Sequence, residues 1–123
     1  MFELRVKGRF SAAHMLRGYR GKCARLHGHN WEVEVAVEAE GLSEAGMVID
    51  FGELKGMLGE VLDELDHKLL NDIPPFDRLN PTSENIAKWI FDRMKEKLSG
   101  FEGVRVSSVT VRESEGVAAS YRE

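Results

Sequence analysis

The sequence predicts an α+β fold, with elements in the order ββααββ and two helices packed on one face of a four-stranded antiparallel sheet. Three observations predict it. Apolar residues alternate with polar ones near both ends of the chain, as half-buried strands require. In the middle they recur three and four residues apart, the spacing of an amphipathic helix. Helices grouped between runs of strands then give an α+β sheet rather than a parallel one.

The first strand places Phe2, Leu4, Val6, Phe10 and Ala12 on one face, with Glu3, Arg5, Lys7, Arg9 and Ser11 on the other. A connection spans residues 15–26. Alternation resumes with Trp31, Val33, Val35, Val37 and Ala39 opposite Glu32, Glu34, Glu38 and Glu40. An antiparallel pair of these strands faces basic side chains with glutamates, which is mildly stabilising. Residues 41–46 read as a turn and Met47-Val48-Ile49 as a short extended piece. Asp50, with Glu53 three residues on, predicts a capped helix carrying Leu54, Met57, Leu58, Val61, Leu62 and Leu65. That helix ends near Asp66-His67. Pro74, Pro75 and Pro81 predict loop over residues 71–81. Thr82 or Ser83 caps the second helix, whose buried stripe is Ile86, Trp89, Ile90, Met94 and Leu98, and Ser99-Gly100 ends it. The last two strands are Val104–Arg112 and Val117–Tyr121, joined through Ser114-Glu115-Gly116.

Composition bounds the rest. With 123 residues, 42% hydrophobic and 31% charged, residues 1–123 suit one globular domain and not a disordered chain. No apolar run reaches the roughly 20 residues of a membrane helix, and Met1–Arg5 lacks the layout of a signal peptide. A single cysteine excludes an internal disulfide and points to a reducing, cytoplasmic compartment. A net charge of −4 argues against general nucleic-acid binding. One sheet face is densely charged, and two sheet edges are bare. Closing several sheets into an oligomeric barrel removes the edges; a monomer with one solvated face is the alternative.

Three histidines carry the chemistry. His14 continues the apolar phase of the first strand, and His27 and His29 lie on the apolar phase of the second. Antiparallel pairing brings the end of one strand beside the start of the next, so the three imidazoles converge. Three neutral imidazoles suit zinc, with the fourth position open to water or substrate, as in catalytic sites. Singly, each histidine reads equally as a structural or exposed residue.

Four further groups are candidates. Cys23 lies among Arg20, Lys22 and Arg25, where cations favour the thiolate; an inert thiol is the alternative, but a short basic loop is a poor place to bury one. Arg17, Arg20, Lys22 and Arg25, with no acid between them, suit an anionic substrate such as a phosphate ester, or an ordinary solvated loop. Asp66-His67 reads either as a helix C-terminus stabilised by an imidazole or as a proton relay. Glu113 can accept two hydrogen bonds from a cyclic amidine edge, or be an exposed turn residue.

Taken together, seven segments resemble the 6-pyruvoyl-tetrahydropterin synthase family. They are Phe10-Ser-Ala-Ala-His14, Cys23-Ala-Arg-Leu-His27-Gly-His29, Met47-Val-Ile-Asp50-Phe51, Leu65-Asp66-His67, Leu70-Asn71, Asn80-Pro-Thr82-Ser83-Glu84-Asn85 and Val111-Arg-Glu113. The similarity is greatest to the 6-carboxy-5,6,7,8-tetrahydropterin synthase branch of queuosine biosynthesis. The resemblance implies the tunnelling fold, whose subunits close into barrels and form a homohexamer of two trimers. It implies zinc on His14, His27 and His29, Cys23 as proton acceptor, and Asp66 with His67 as a relay. It also implies Glu113 as the pterin anchor, with Thr82 and Lys22 as further substrate contacts. Cys23 and the Asp66-His67 pair are then expected to meet across a subunit interface.

The implied substrate is 7,8-dihydroneopterin triphosphate, and the implied products are 6-carboxytetrahydropterin, acetaldehyde and triphosphate. The product would serve synthesis of a 7-deazaguanine-type tRNA nucleoside, with no direct nucleic-acid or membrane partner. Members that stop at 6-pyruvoyl-tetrahydropterin give the alternative. Members that cleave the side chain like an aldolase tend to carry glutamate near the cysteine position, and Cys23 argues against that type. A noncatalytic zinc- and pterin-binding module is the alternative from a different class; it would need only Glu113 and the pocket.

Overall fold

The computed structural model describes residues 1–123. In chain order the elements are β1 (Phe2–His14), β2 (His27–Ala39), α1 (Phe51–Asp63), β3 (Lys68–Leu69), α2 (Ser83–Lys97), β4 (Arg105–Ser114) and β5 (Val117–Arg122). Short 3₁₀ turns occupy Lys22–Ala24 and Leu70–Asp72.

The hairpin of β1 and β2 pairs antiparallel from Phe2 opposite Ala39 to His14 opposite His27. The sheet differs from the expected four antiparallel strands. It has five strands in the order β3-β1-β2-β4-β5 and is mixed, because β3 runs parallel to β1, with Lys68 beside Ala12 and Leu69 beside Ala13. A two-residue strand has no alternation to detect, so periodicity passes over it. For similar reasons the 3₁₀ turn at Leu70–Asp72 cuts into the expected loop, while Met47-Val48-Ile49 forms no strand.

The apolar faces of β1, β2 and β4 meet both helices in one core of 24 buried residues. Trp31, Val33, Val35 and Val37 are fully buried, with Leu54, Leu58, Val61 and Leu62 of α1 and Ile86, Ile90 and Met94 of α2 over them. Gly8 sits in phase with this face. A Cβ there would lie 2.8 Å from Leu62 Cδ1 and 3.2 Å from Leu58 Cδ2, so its missing side chain lets α1 approach the sheet. Both expected helix caps form. Asp50 Oδ2 accepts the Glu53 N–H at 2.9 Å, and Thr82 Oγ1 accepts the Asn85 N–H at 3.1 Å; each such cap stabilises its helix by about 1 kcal/mol.

The opposite sheet face pairs its own charges. Arg5 meets Glu34 at 3.2 Å, Lys7 and Arg9 each meet Glu32 at 3.6 Å, and Arg105 meets Glu38. These cations are exposed, so each pair contributes at most about 1 kcal/mol. The outer edge of β1 before β3, and the outer edge of β5, have no strand beside them. No helix is long and apolar enough to cross a membrane.

Candidate metal centre and active site

The hairpin register brings the three histidines together. His14 is the Cα partner of His27, and His29 is the partner of Ala12, two residues along the same face. Nε2 of His14 lies 3.0 Å from Nε2 of His27, and one ring nitrogen from each of His14, His27 and His29 lies within 4.8 Å of the others. Trp31 forms the floor. Its ring stands edge-on to His14 and His29 at centroid distances of 4.9 and 5.2 Å, and its indole N–H donates to the Ala12 carbonyl at 3.3 Å.

The outer ring nitrogens are already engaged. His14 Nδ1 donates to the Pro81 carbonyl at 2.7 Å and His27 Nδ1 to the Arg25 carbonyl at 2.6 Å. A carbonyl oxygen can only accept, so both Nδ1 atoms carry the proton and both Nε2 atoms of the neutral rings present lone pairs. His29 Nε2 is buried without a hydrogen-bond partner. Facing lone pairs and a buried orphan nitrogen are unfavourable in a metal-free protein, and a shared divalent cation relieves both. Burial, the largest cause, pushes the pKa values of His14 and His29 below the ordinary imidazole value and so keeps them in the ligating form; the Glu113 carboxylate opposes the shift without overcoming it. The three-imidazole donor set fits zinc.

A cavity of about 470 Å³ opens beside this cluster, and His14, Cys23, Thr82 and Glu113 are among its walls. Cys23 is half-buried on its 3₁₀ turn. Glu113 follows Val109 and Val111 at steps of two on β4 and brings Oε2 within 3.9 Å of His29 Nε2. Thr82 uses its hydroxyl oxygen to cap α2, which leaves the O–H proton free to donate. Lys22 is exposed on the same loop and lies outside the cavity wall. Arg17 lines the cavity, but its guanidinium donates to the Phe76 carbonyl at 2.6 Å.

Asp66 and His67 lie elsewhere, on the outer edge of β1. Asp66 Oδ1 accepts the Ser11 N–H at 2.8 Å, the His67 N–H donates to the Ser11 carbonyl at 2.6 Å, and His67 Nδ1 lies 2.8 Å from Asp66 Oδ2. The left-handed backbone of His67, φ 58°, accompanies the ring's return onto the residue before it. The Ser11 amide and then His67 hold the Asp66 carboxyl below the usual carboxylate range. The His67 side chain is 82% exposed. It borders a second cleft with Ser11, Ala13, His29, Asn30 and Lys68, which shares His29 with the histidine cluster. Within one subunit the pair therefore does not join the cavity that holds Cys23.

Two residues without an assigned role in the sequence reading support the site. Asn71 and Asn80 bond the backbone of the loop that carries Cys23, at Met15 and Arg17 respectively. The signal available for them was their place in the Leu70-Asn71 and Asn80-Pro81 segments, with no chemistry of their own to flag. The available signal for Glu113 was its phase with Val109 and Val111.

Fold and site together define an enzyme class: a mixed sheet whose hairpin presents three imidazoles beside a thiol and a carboxylate. Over residues 3–123 the chain matches the 6-pyruvoyl tetrahydropterin synthase family. It is 44% identical over 117 residues to the 6-carboxy-5,6,7,8-tetrahydropterin synthase of Synechocystis sp., covering 91% of this chain and 86% of that protein. It is 43% identical over 91 residues to the dihydroneopterin monophosphate aldolase of Pyrococcus furiosus, covering 74% of this chain and 73% of that protein. The structure of Caenorhabditis elegans 6-pyruvoyl tetrahydropterin synthase is similar at a TM-score of 0.87 and 30% identity, covering 99% of this chain and 95% of that one. The chain belongs to the 6-pyruvoyl tetrahydropterin synthase family, and it is a lyase-type enzyme.

Proposed function

We propose that the protein converts 7,8-dihydroneopterin triphosphate and one water molecule to 6-carboxy-5,6,7,8-tetrahydropterin, with release of acetaldehyde and triphosphate. The observation that carries this reading is the single cavity lined by His14, Cys23, Thr82 and Glu113, which brings an imidazole, a thiol, a hydroxyl and a carboxylate together. Several relatives bearing the carboxy-forming name support the choice of product.

Each residue has a distinct task. Glu113 accepts hydrogen bonds from the pterin's ring N–H and exocyclic amine, which fixes the orientation of the bicycle. Thr82 donates its hydroxyl proton to the bound substrate. Cys23 Sγ takes a proton from a side-chain carbon as thiolate. Zinc, when held by His14, His27 and His29, supplies Lewis acidity to the substrate's side-chain oxygens. His67, oriented through Nδ1 by Asp66, presents Nε2 to deliver or collect a proton. Because this pair sits on the edge of β1, the complete site takes His67 from a neighbouring subunit in a closed barrel, a homohexamer of two trimers. Lys22 and the other cations of residues 15–26 attract the triphosphate. The product feeds a cytoplasmic pathway to a 7-deazaguanine-type tRNA nucleoside such as queuosine.

The test is product analysis by mass spectrometry. Zinc-loaded protein with dihydroneopterin triphosphate is expected to give carboxypterin and acetaldehyde. Accumulation of 6-pyruvoyl-tetrahydropterin would move the protein to the elimination-only reaction. Pterin binding without turnover would make it a noncatalytic module.

A further inference from the structure

The loop that carries Cys23 has little apolar packing to hold it. No residue between Met15 and Leu26 is buried, and Gly18 and Gly21 take φ values of +70° and +136°. Hydrogen bonds must therefore set where the thiol lies. Two carboxamides supply four of them, beside the Arg17 guanidinium on the Phe76 carbonyl and His27 Nδ1 on the Arg25 carbonyl. Asn71 Oδ1 accepts the Met15 N–H and its Nδ2 donates to the Met15 carbonyl, both at 2.9 Å. Asn80 repeats the pattern two residues on: Oδ1 accepts the Arg17 N–H at 2.9 Å and Nδ2 donates to the Arg17 carbonyl at 2.8 Å. Each amide imitates a neighbouring strand and extends the pairing of β1 beyond His14. Between the two clamped residues, the Leu16 N–H donates to the Cys23 carbonyl at 3.1 Å. Cys23 is thus one backbone hydrogen bond away from the clamped limb.

Asn80 differs from Asn71 in its chain neighbours, Pro81 and Thr82. The Pro81 carbonyl accepts the His14 Nδ1 proton at 2.7 Å, and Thr82 caps α2. The Asn80 carbonyl accepts Asn85 Nδ2 at 2.9 Å, which fastens the segment to the first turn of that helix. One three-residue segment therefore grips the thiol's loop through Asn80, orients His14 through Pro81 and caps α2 through Thr82.

We propose that Asn80 is a positioning residue that sets the Cys23 thiol relative to the imidazole of His14. This rests on the assignment of Cys23 as proton acceptor. The carboxamide fits the task because it donates and accepts in one plane. A misplacement of about 1 Å at the thiol is enough to cost on the order of 100-fold in rate.

The experiment compares zinc-loaded parent, Asn80→Ala and Asn80→Asp. Asn80→Ala is expected to lower kcat by about 10- to 100-fold, with KM within about threefold and zinc content at the parent level. At one fixed pH the rate of Cys23 alkylation by iodoacetamide is expected to differ from the parent's by about threefold or more, because the loop no longer holds the thiol in its half-buried place. Asn80→Asp keeps the bond from the Arg17 N–H but loses the donor to its carbonyl, and is expected to fall between the two. If Asn80→Ala does not fold, Asn80→Asp carries the comparison. A kcat within twofold of the parent, a loss confined to KM, or an unchanged alkylation rate overturns the proposal. Alkylation needs no substrate, so it still decides the role of Asn80 if the parent makes no carboxypterin.

Discussion

Nε2 of His14 stands 3.0 Å from Nε2 of His27, while the Nδ1 of each ring donates to a backbone carbonyl. Two lone pairs facing each other beside the unpartnered Nε2 of His29 destabilise the metal-free fold. Zinc is therefore expected at about one ion per chain. Free zinc at 100 times its Kd stabilises the fold by about 2.7 kcal/mol. Elemental analysis and thermal melts before and after chelation check this. His27→Ala is expected to lose the metal and with it the zinc-dependent rise in Tm. A parent protein whose Tm ignores zinc would remove the site.

The same imidazoles set a pH dependence. Burial holds the pKa values of His14 and His29 below the ordinary value of 6.5, so the fold favours their neutral forms. In the unfolded chain they take up a proton near pH 6.5. As pH falls below that value, the unfolded state binds protons that the native state refuses, and stability declines toward the lowered folded values. The slope from these two groups is half-developed at pH 6.5 and fades over about one pH unit above it. Metal-free protein is expected to show a Tm that levels off above about pH 7.5 and falls from 6.5 to 5. A Tm that rises on acidification over that range would contradict the assignment.

The histidine cluster was legible because strand alternation and hairpin pairing are short-range rules: phase chose the face, and the antiparallel turn-back chose the neighbour. Asp66 and His67 were legible as a candidate relay but their placement was not, because the contact between them depends on the positive φ of His67 and on the edge of β1, 55 residues away at Ser11. Nor were the Asn71 and Asn80 clamps, whose partners are backbone atoms 56 and 63 residues distant. A backbone partner leaves no residue type to match. The parallel strand β3 escaped because two residues cannot display a period.

Gly8 is a packing determinant. The Cβ of an alanine there would fall 2.8 Å from Leu62 Cδ1 and 3.2 Å from Leu58 Cδ2, both side chains being almost wholly buried. Leu62 can turn its terminal methyl aside for one added carbon, whereas two further methyls would press on Leu58 as well. Gly8→Ala is expected to cost about 1 kcal/mol and Gly8→Val about 3 kcal/mol by urea unfolding. Equal stability of all three proteins would show that α1 shifts freely over the sheet.

Cys23 and His67 belong to different clefts of one subunit, yet the proposed reaction uses both. Two variants decide whether neighbouring subunits share them. Cys23→Ala and His67→Ala, each purified alone, are expected to lose about 100- to 10,000-fold in kcat with zinc retained. Co-expressed in equal amounts, they form mixed assemblies in which some interfaces pair an intact Cys23 with an intact His67. For sites made by two subunits drawn at random, about a quarter of the sites are restored, and activity is expected to recover to that fraction of the parent. The assemblies are verified by native mass spectrometry of differently tagged chains. Mixed oligomers without recovered activity would show that a site shared in this way does not exist, and a monomeric parent would remove the barrel altogether.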